Sequence, residues 1–150
     1  MKEYTLGFIF TPSLDKVLLI HKLNPERQRG KLNGVGGKLE EGEDILTCMV
    51  REVQEETGLI TKTDKWISLG LMESADWKVH VFTLVYEGNP NDAKSADKEK
   101  VEWIYVKALP TNMMSNLTWL LPLAIDKIQH QEFHSFSVQY NEMKNLKLTP

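Results

Sequence analysis

The stretch from Asn33 to Gly58 constrains this chain more than any other. Glycines stand at 34, 36, 37 and 42, so the backbone there bends or approaches something closely. Ile45 to Thr57 then runs without Gly or Pro and is followed by Gly58. That pattern predicts a helix over 45–57 with a glycine C-cap, and Glu43 and Asp44 sit at its start, where acids suit the helix dipole. On a wheel of about 3.6 residues per turn, Glu52, Glu55 and Glu56 share one arc, while Ile45, Met49 and Val53 form the neighbouring stripe and face a core. Three like charges so close repel one another. Either solvent and Arg51 screen them, as on an ordinary acidic helix face, or they hold hard cations. Oxygen-only ligands of this kind suit Mg²⁺ or Mn²⁺ and not zinc. The carboxylates alone leave both readings open.

Around this segment the chain reads as one globular domain over 1–150. It has 150 residues, 41% hydrophobic and 26% charged, which excludes collagen-like, mucin-like and wholly disordered chains. Eighteen basic residues against 21 acidic ones give a net charge of -3, so no basic footprint for nucleic acid is expected. The single cysteine, Cys48, permits no internal disulfide and fits a reducing compartment. No targeting segment opens the chain, no apolar run approaches the roughly 18 residues of a membrane span, and the sequon Asn116-Leu117-Thr118 reads as chance. A cytoplasmic protein with no membrane partner is expected, monomeric or weakly dimeric.

Tyr4 to Thr11 and Val17 to His21 predict a hairpin around Pro12-Ser13-Leu14-Asp15. Asn24 to Lys31 reads as a surface loop, and Asn89 to Lys100 as another. Trp66 to Met72, Val79 to Tyr86 and Val101 to Val106 predict strands, Leu117 to Gln129 a second helix, and Phe133 to Tyr140 a last strand. That order is α+β, or mixed α/β, not a regular βαβ repeat. His21, His80, His130 and His134 show no ligand spacing. Cys48 reads as packing, and Trp66, Trp77 and Trp103 as core or strand-face residues.

Two phosphate motifs fail: Gly37-Lys38 precedes Leu39, not Ser or Thr, and GVGGKL lacks the third glycine of GxGxxG. One motif fits throughout. Gly37, five residues, Glu43, seven residues, then Arg51-Glu52-Val53-Gln54-Glu55-Glu56-Thr57-Gly58-Leu59 matches every fixed position of the Nudix box. At average residue frequencies such a match arises by chance at about 10⁻⁹ to 10⁻¹⁰ per start position. The sequence therefore resembles the Nudix hydrolases. LNGVGGKLEEGE, VHVFTLVYEG, VEWIYVKALP and WLLPLAI extend a looser resemblance to the oxidised-purine nucleoside triphosphatases, relatives of the bacterial mutator (MutT-like) hydrolases.

This resemblance implies a Nudix α/β/α sandwich with a mixed central sheet, the box forming a loop-helix-loop. It implies a Mg²⁺-dependent pyrophosphohydrolase (Mn²⁺ as substitute) acting on a small-molecule nucleotide. The leading substrate is 8-oxo-dGTP or a related purine nucleotide, split to the monophosphate and pyrophosphate as in nucleotide sanitation. ADP-ribose or dinucleoside polyphosphates are the alternatives, then a regulatory module that binds a nucleotide without cleaving it. By position, Glu52, Glu55 and Glu56 become metal-binding carboxylates, with the carbonyl of Gly37, or of Gly36 beside it, as a further ligand. Arg51 and Glu43 pair to hold the helix carboxylates. Glu99 is the favoured fourth catalytic carboxylate, ahead of Asp97 and Glu102. Gly36, Gly37 and Lys38 line the phosphate side. Asn33 falls where the subfamily contacts the purine, against a turn-capping role beside Gly34. Met114-Ser115-Asn116-Leu117 stands where the subfamily has a tryptophan and paired aspartates, and Arg27 lies near an expected aromatic. Asn116 and Trp119 are the remaining base-side residues. A free asparagine amide can turn either end to a base, so some tolerance is expected.

Overall fold

Two runs, Leu6 to Phe10 and Val17 to Ile20, are apolar at every position except Gly7, which calls for a strand covered on both faces. In the computed structural model, which describes residues 1–131 and 135–141, they form the middle of a seven-stranded mixed sheet. The strands are β1 (Lys2–Phe10), β2 (Lys16–His21), β3 (Leu32–Asn33), β4 (Ile67–Glu73), β5 (Trp77–Val85), β6 (Val101–Tyr105) and β7 (Phe136–Gln139), with helices α1 (Ile45–Thr57) and α2 (Leu117–His130). The order is β3-β2-β1-β5-β4-β7, with β6 on β2. β1 runs parallel to β5 along its whole length, and β7 runs parallel to β4; the other pairs are antiparallel.

Strand alternation sorts the core into two layers. Leu6, Phe8, Phe10, Val17, Leu19 and Val81 point to α2 and pack on Leu117, Leu120, Leu121 and Ala124. Ile9, Leu18, Ile20, Phe82 and Leu84 point the other way, onto Met49 and Val53 of α1. The result is the expected α/β/α sandwich. α1 begins and ends where its caps predict: Asp44 Oδ1 accepts the Thr47 N–H at 2.9 Å, and Gly58 at φ 75° donates its N–H to Gln54 O at 2.9 Å.

Several expectations shift. β1 and β2 do pair as a hairpin, but through two residue pairs only; the long partner of β1 is β5. β4 starts at Ile67, leaving Trp66 buried just before it, and β5 starts at Trp77, two residues early. Leu32–Asn33 is a short strand absent from the sequence reading, because two residues carry no periodicity. Leu32 also bridges Met113 in parallel, which draws segment 112–114 beside Asn33. The last strand occupies only Phe136–Gln139; Phe133 and His134 lie outside the described residues. Among the described residues no helix is long and apolar enough to cross a membrane.

Candidate active site

Arg51 organises the acidic face of α1. Its Nε and Nη2 donate to Glu43 Oε2 and Oε1 at 2.7 and 2.9 Å, a bidentate pair. Nη2 also donates to the Lys38 carbonyl at 3.2 Å, so one guanidinium joins the glycine loop to the helix. The hydrogen bonds from Arg51 hold the Glu43 carboxyl down at about 2. Nη1 reaches Glu52 Oε1 at 3.0 Å and Glu55 Oε2 at 3.2 Å. Glu55 remains 57% exposed, whereas Glu52 is tucked against the loop. A Cβ on Gly37 would fall 2.4 Å from Glu52 Cδ, so only glycine leaves room for that carboxylate. Burial raises the pKa of Glu52.

Glu56 lies deeper, 8% exposed, and its Oε1 accepts the Gly36 N–H at 2.8 Å. Burial pushes its carboxyl up to about 8; that N–H and Lys22 oppose the rise, and Glu52 and Glu99 add to it. Glu99 arrives from the loop before β6. Its Oε1 meets Lys22 Nζ at 2.9 Å, and its Oε2 accepts the Leu23 and Asn24 N–H groups at 2.6 and 3.2 Å. Burial alone would raise Glu99, but those donors outweigh it and leave the carboxyl below its ordinary value. Of its two rivals, Asp97 is exposed and caps its own loop at Lys98 N, while Glu102 is exposed and meets His21 Nε2 at 2.8 Å.

The Gly37 carbonyl, expected as a metal ligand, is turned elsewhere. It accepts the Thr5 N–H at 2.8 Å and lies 3.4 Å from Thr5 Oγ1, on the edge of β1. Among the described residues nothing donates a hydrogen bond to the carbonyl of its neighbour Gly36. Among the described residues no three His, Cys, Asp or Glu side chains converge on one point, because Arg51 draws Glu52 and Glu55 while Gly36 holds Glu56. The donor set nonetheless suits a hard dication: oxygen ligands only, with buried carboxylates whose raised pKa marks uncompensated charge.

Of the base-side residues, Asn116 and Trp119 lie on the α2 side with Met72 and Phe136, whereas Asn33 pairs with Ile20 and faces the α1 layer. Asn33 Oδ1 accepts the Gly34 N–H at 2.8 Å and its Nδ2 donates to Gln28 at 3.2 Å, so it caps the turn as it stands. Asn116 Nδ2 donates to Met72 Sδ at 3.7 Å, which fixes an amide expected to be free. Trp119 packs edge-on against Phe136, ring centroids 5.7 Å apart. The Lys38 side chain is exposed. Among the described residues no aromatic ring packs against Arg27. Cys48 is fully buried with its thiol pushed up to about 11 by desolvation, which makes it packing and not a nucleophile. Sequence reasoning missed Lys22, Met72 and Thr5, which reach the site through sheet pairing and leave no local signature.

A glycine loop is thus clasped to an acidic helix by one arginine on an α/β/α sandwich. The NUDIX domain family matches residues 2–122, and the chain belongs to the Nudix hydrolases. The oxidized purine nucleoside triphosphate hydrolase of Danio rerio is 32% identical over 116 residues, covering 71% of this chain and 70% of that protein. The 8-oxo-dGDP phosphatase NUDT18 of Mus musculus is 31% identical over 116 residues, covering 75% of this chain but 35% of its own length. A mutator MutT protein of Bacillus halodurans has the same fold, with a TM-score of 0.68 at 24% identity, covering 99% of this chain and 95% of that one.

Proposed function

We propose that this chain hydrolyses a purine nucleoside triphosphate to the monophosphate and pyrophosphate, with 8-oxo-dGTP as the leading substrate and Mg²⁺ as the metal. The observation that carries it is the Arg51 brace, which sets Glu52 against Gly37 and leaves Glu56 at the Gly36 N–H. Glu52, Glu55, Glu56 and the Gly36 carbonyl are the groups that would hold Mg²⁺, or Mn²⁺ in its place, with Gly36 replacing Gly37 in the ligand set. When bound, such an ion neutralises phosphate charge and lowers the pKa of a water. The protein supplies the rest. Arg51 and Glu43 keep the carboxylates from swinging out to solvent, and Lys22 adds a positive charge beside Glu56 and Glu99. Water attacks the β-phosphorus, the bond to the α-bridging oxygen breaks, and the water proton passes to a carboxylate of the site.

The oxidised-purine reading draws on two relatives whose names carry such nucleotides. The net charge of -3 accords with a chain that takes no nucleic-acid partner. The deciding experiment incubates the protein with Mg²⁺ in heavy-oxygen water and 8-oxo-dGTP, dGTP, 8-oxo-dGDP, ADP-ribose or a dinucleoside polyphosphate. Label in pyrophosphate from 8-oxo-dGTP is the expected result. Label in the monophosphate means attack at the α-phosphorus, and turnover of ADP-ribose alone moves the chain to another substrate class.

A further inference from the structure

The loop between β5 and β6 does more for the site than deliver Glu99. A helix leaves its last carbonyls without partners of its own, and this loop takes two of those at the end of α1. The Lys94 N–H donates to Thr57 O at 2.8 Å, and the Ala96 N–H donates to Glu56 O at 3.3 Å. Glu56 is thus held twice, at its backbone by Ala96 and at its carboxylate by the Gly36 N–H. Glu99 then accepts hydrogen bonds from Lys22, Leu23 and Asn24, and the Lys100 carbonyl accepts the His21 N–H at 2.7 Å. The loop therefore runs across the site from the end of α1 to the end of β2.

Its own anchorage lies at the turn Pro90–Asp92, which is gripped from both flanking strands. The hydroxyl of Tyr86, just after β5, donates to Asp92 Oδ2 at 2.7 Å, and the indole Nε1 of Trp103, in β6, donates to Pro90 O at 2.8 Å. Both rings, with Ala93, pack on the α1 core layer. A Cβ on Gly88 would stand 2.7 Å from the Tyr86 hydroxyl oxygen, so the chain passes close over that ring because position 88 is glycine.

We propose that Tyr86 and Trp103 are positioning residues for the metal centre: by gripping the 90–92 turn they hold loop 87–100 across the end of α1, and so fix Glu56, with the Glu99–Lys22 pair beside it, for a divalent cation. Ligands already held in place lose less freedom when the cation arrives, so releasing the loop costs affinity. The inference rests on the reading of Glu56 as a metal-binding carboxylate.

The test follows Mn²⁺ uptake by the nucleotide-free protein in calorimetry, beside amide hydrogen exchange. Tyr86→Phe and Trp103→Phe each keep a ring and lose one donor. Each should weaken Mn²⁺ binding about three- to tenfold and speed exchange at the Lys94 and Ala96 amides about tenfold. Gly88→Ala, which pushes on the Tyr86 ring, should act in the same direction. Ile125→Ala loosens the opposite α2 layer and should leave Mn²⁺ affinity unchanged. If Ile125→Ala weakens Mn²⁺ binding as much as the two ring variants do, the effect is one of general stability and the proposal is overturned. Unchanged Mn²⁺ affinity in both ring variants, beside a Glu56→Gln protein that loses it, overturns the positioning role and leaves the metal reading standing. A wild type that takes up no Mn²⁺, or a Glu56→Gln protein that takes it up equally well, overturns both.

Discussion

Glu56 sets stability against catalysis, and a single substitution separates the two. Its carboxyl is 8% exposed and is pushed by burial from 4.5 to about 8. A carboxyl whose pKa is raised by folding binds its proton more tightly in the native state. Its stability contribution is complete below the unfolded value and is lost as pH rises through the folded one. Across that window the loss reaches about 3 kcal/mol by about pH 7, against about 1 kcal/mol at about pH 5. Glu56→Gln keeps an acceptor for the Gly36 N–H and removes the ionisation. In urea titrations with a chelator present, the variant should be the more stable by about 3 kcal/mol at about pH 7, the gap closing to about 1 kcal/mol at about pH 5. Mg²⁺ should shrink the neutral-pH gap, because it stabilises only the wild-type carboxylate. Turnover should fall about 10²-fold or more in the same variant. A stability difference that stays constant with pH would refute the argument that burial controls this group.

Three further outcomes follow from the geometry. Gly37→Ala puts a Cβ 2.4 Å from Glu52 Cδ, so kcat should fall about 10- to 100-fold with a native circular dichroism spectrum, and an unchanged kcat would show that Glu52 is free to move. Arg51→Lys keeps the charge but loses the fork that grips Glu43; kcat at saturating Mg²⁺ should drop about tenfold or more, and full activity would make the brace dispensable. Asn33→Ala should weaken kcat/KM for 8-oxo-dGTP by about 1–3 kcal/mol, whereas an unaltered value would assign Asn33 to its turn with Gly34 alone.

The parts of this protein legible in its sequence are the parts that are local. Helix α1 has its cap, its run free of breakers and its closing glycine within sixteen consecutive positions or so, and each signal acts over a single turn. The two-sided burial of β1 and β2 shows directly in unbroken apolar runs. What escaped depends on assembly. The parallel register that sets Tyr4 against Val79 and Phe10 against Val85 joins segments far apart in the chain, and no local periodicity encodes it. The direction of a backbone carbonyl is equally silent: Gly36 and Gly37 are the same residue type, and Thr5 on the edge of β1 decides which oxygen is consumed.

Glu99 shows how assembly resolves what composition leaves open. Asp97, Glu99 and Glu102 are chemically near-equivalent before or within β6. The β6–β2 register sets Glu102 opposite Leu19 on the strand, where its side chain stays exposed and meets His21. Asp97 spends an oxygen on its own loop. Only Glu99 sits where that loop crosses Lys22, Leu23 and Asn24, and those donors and its influence on Glu56 are set by the strand pairing before any substrate arrives. Those donors hold the Glu99 carboxyl below its ordinary value against the burial that would raise it, and so its charge steadies Lys22 and the loop beside Glu56.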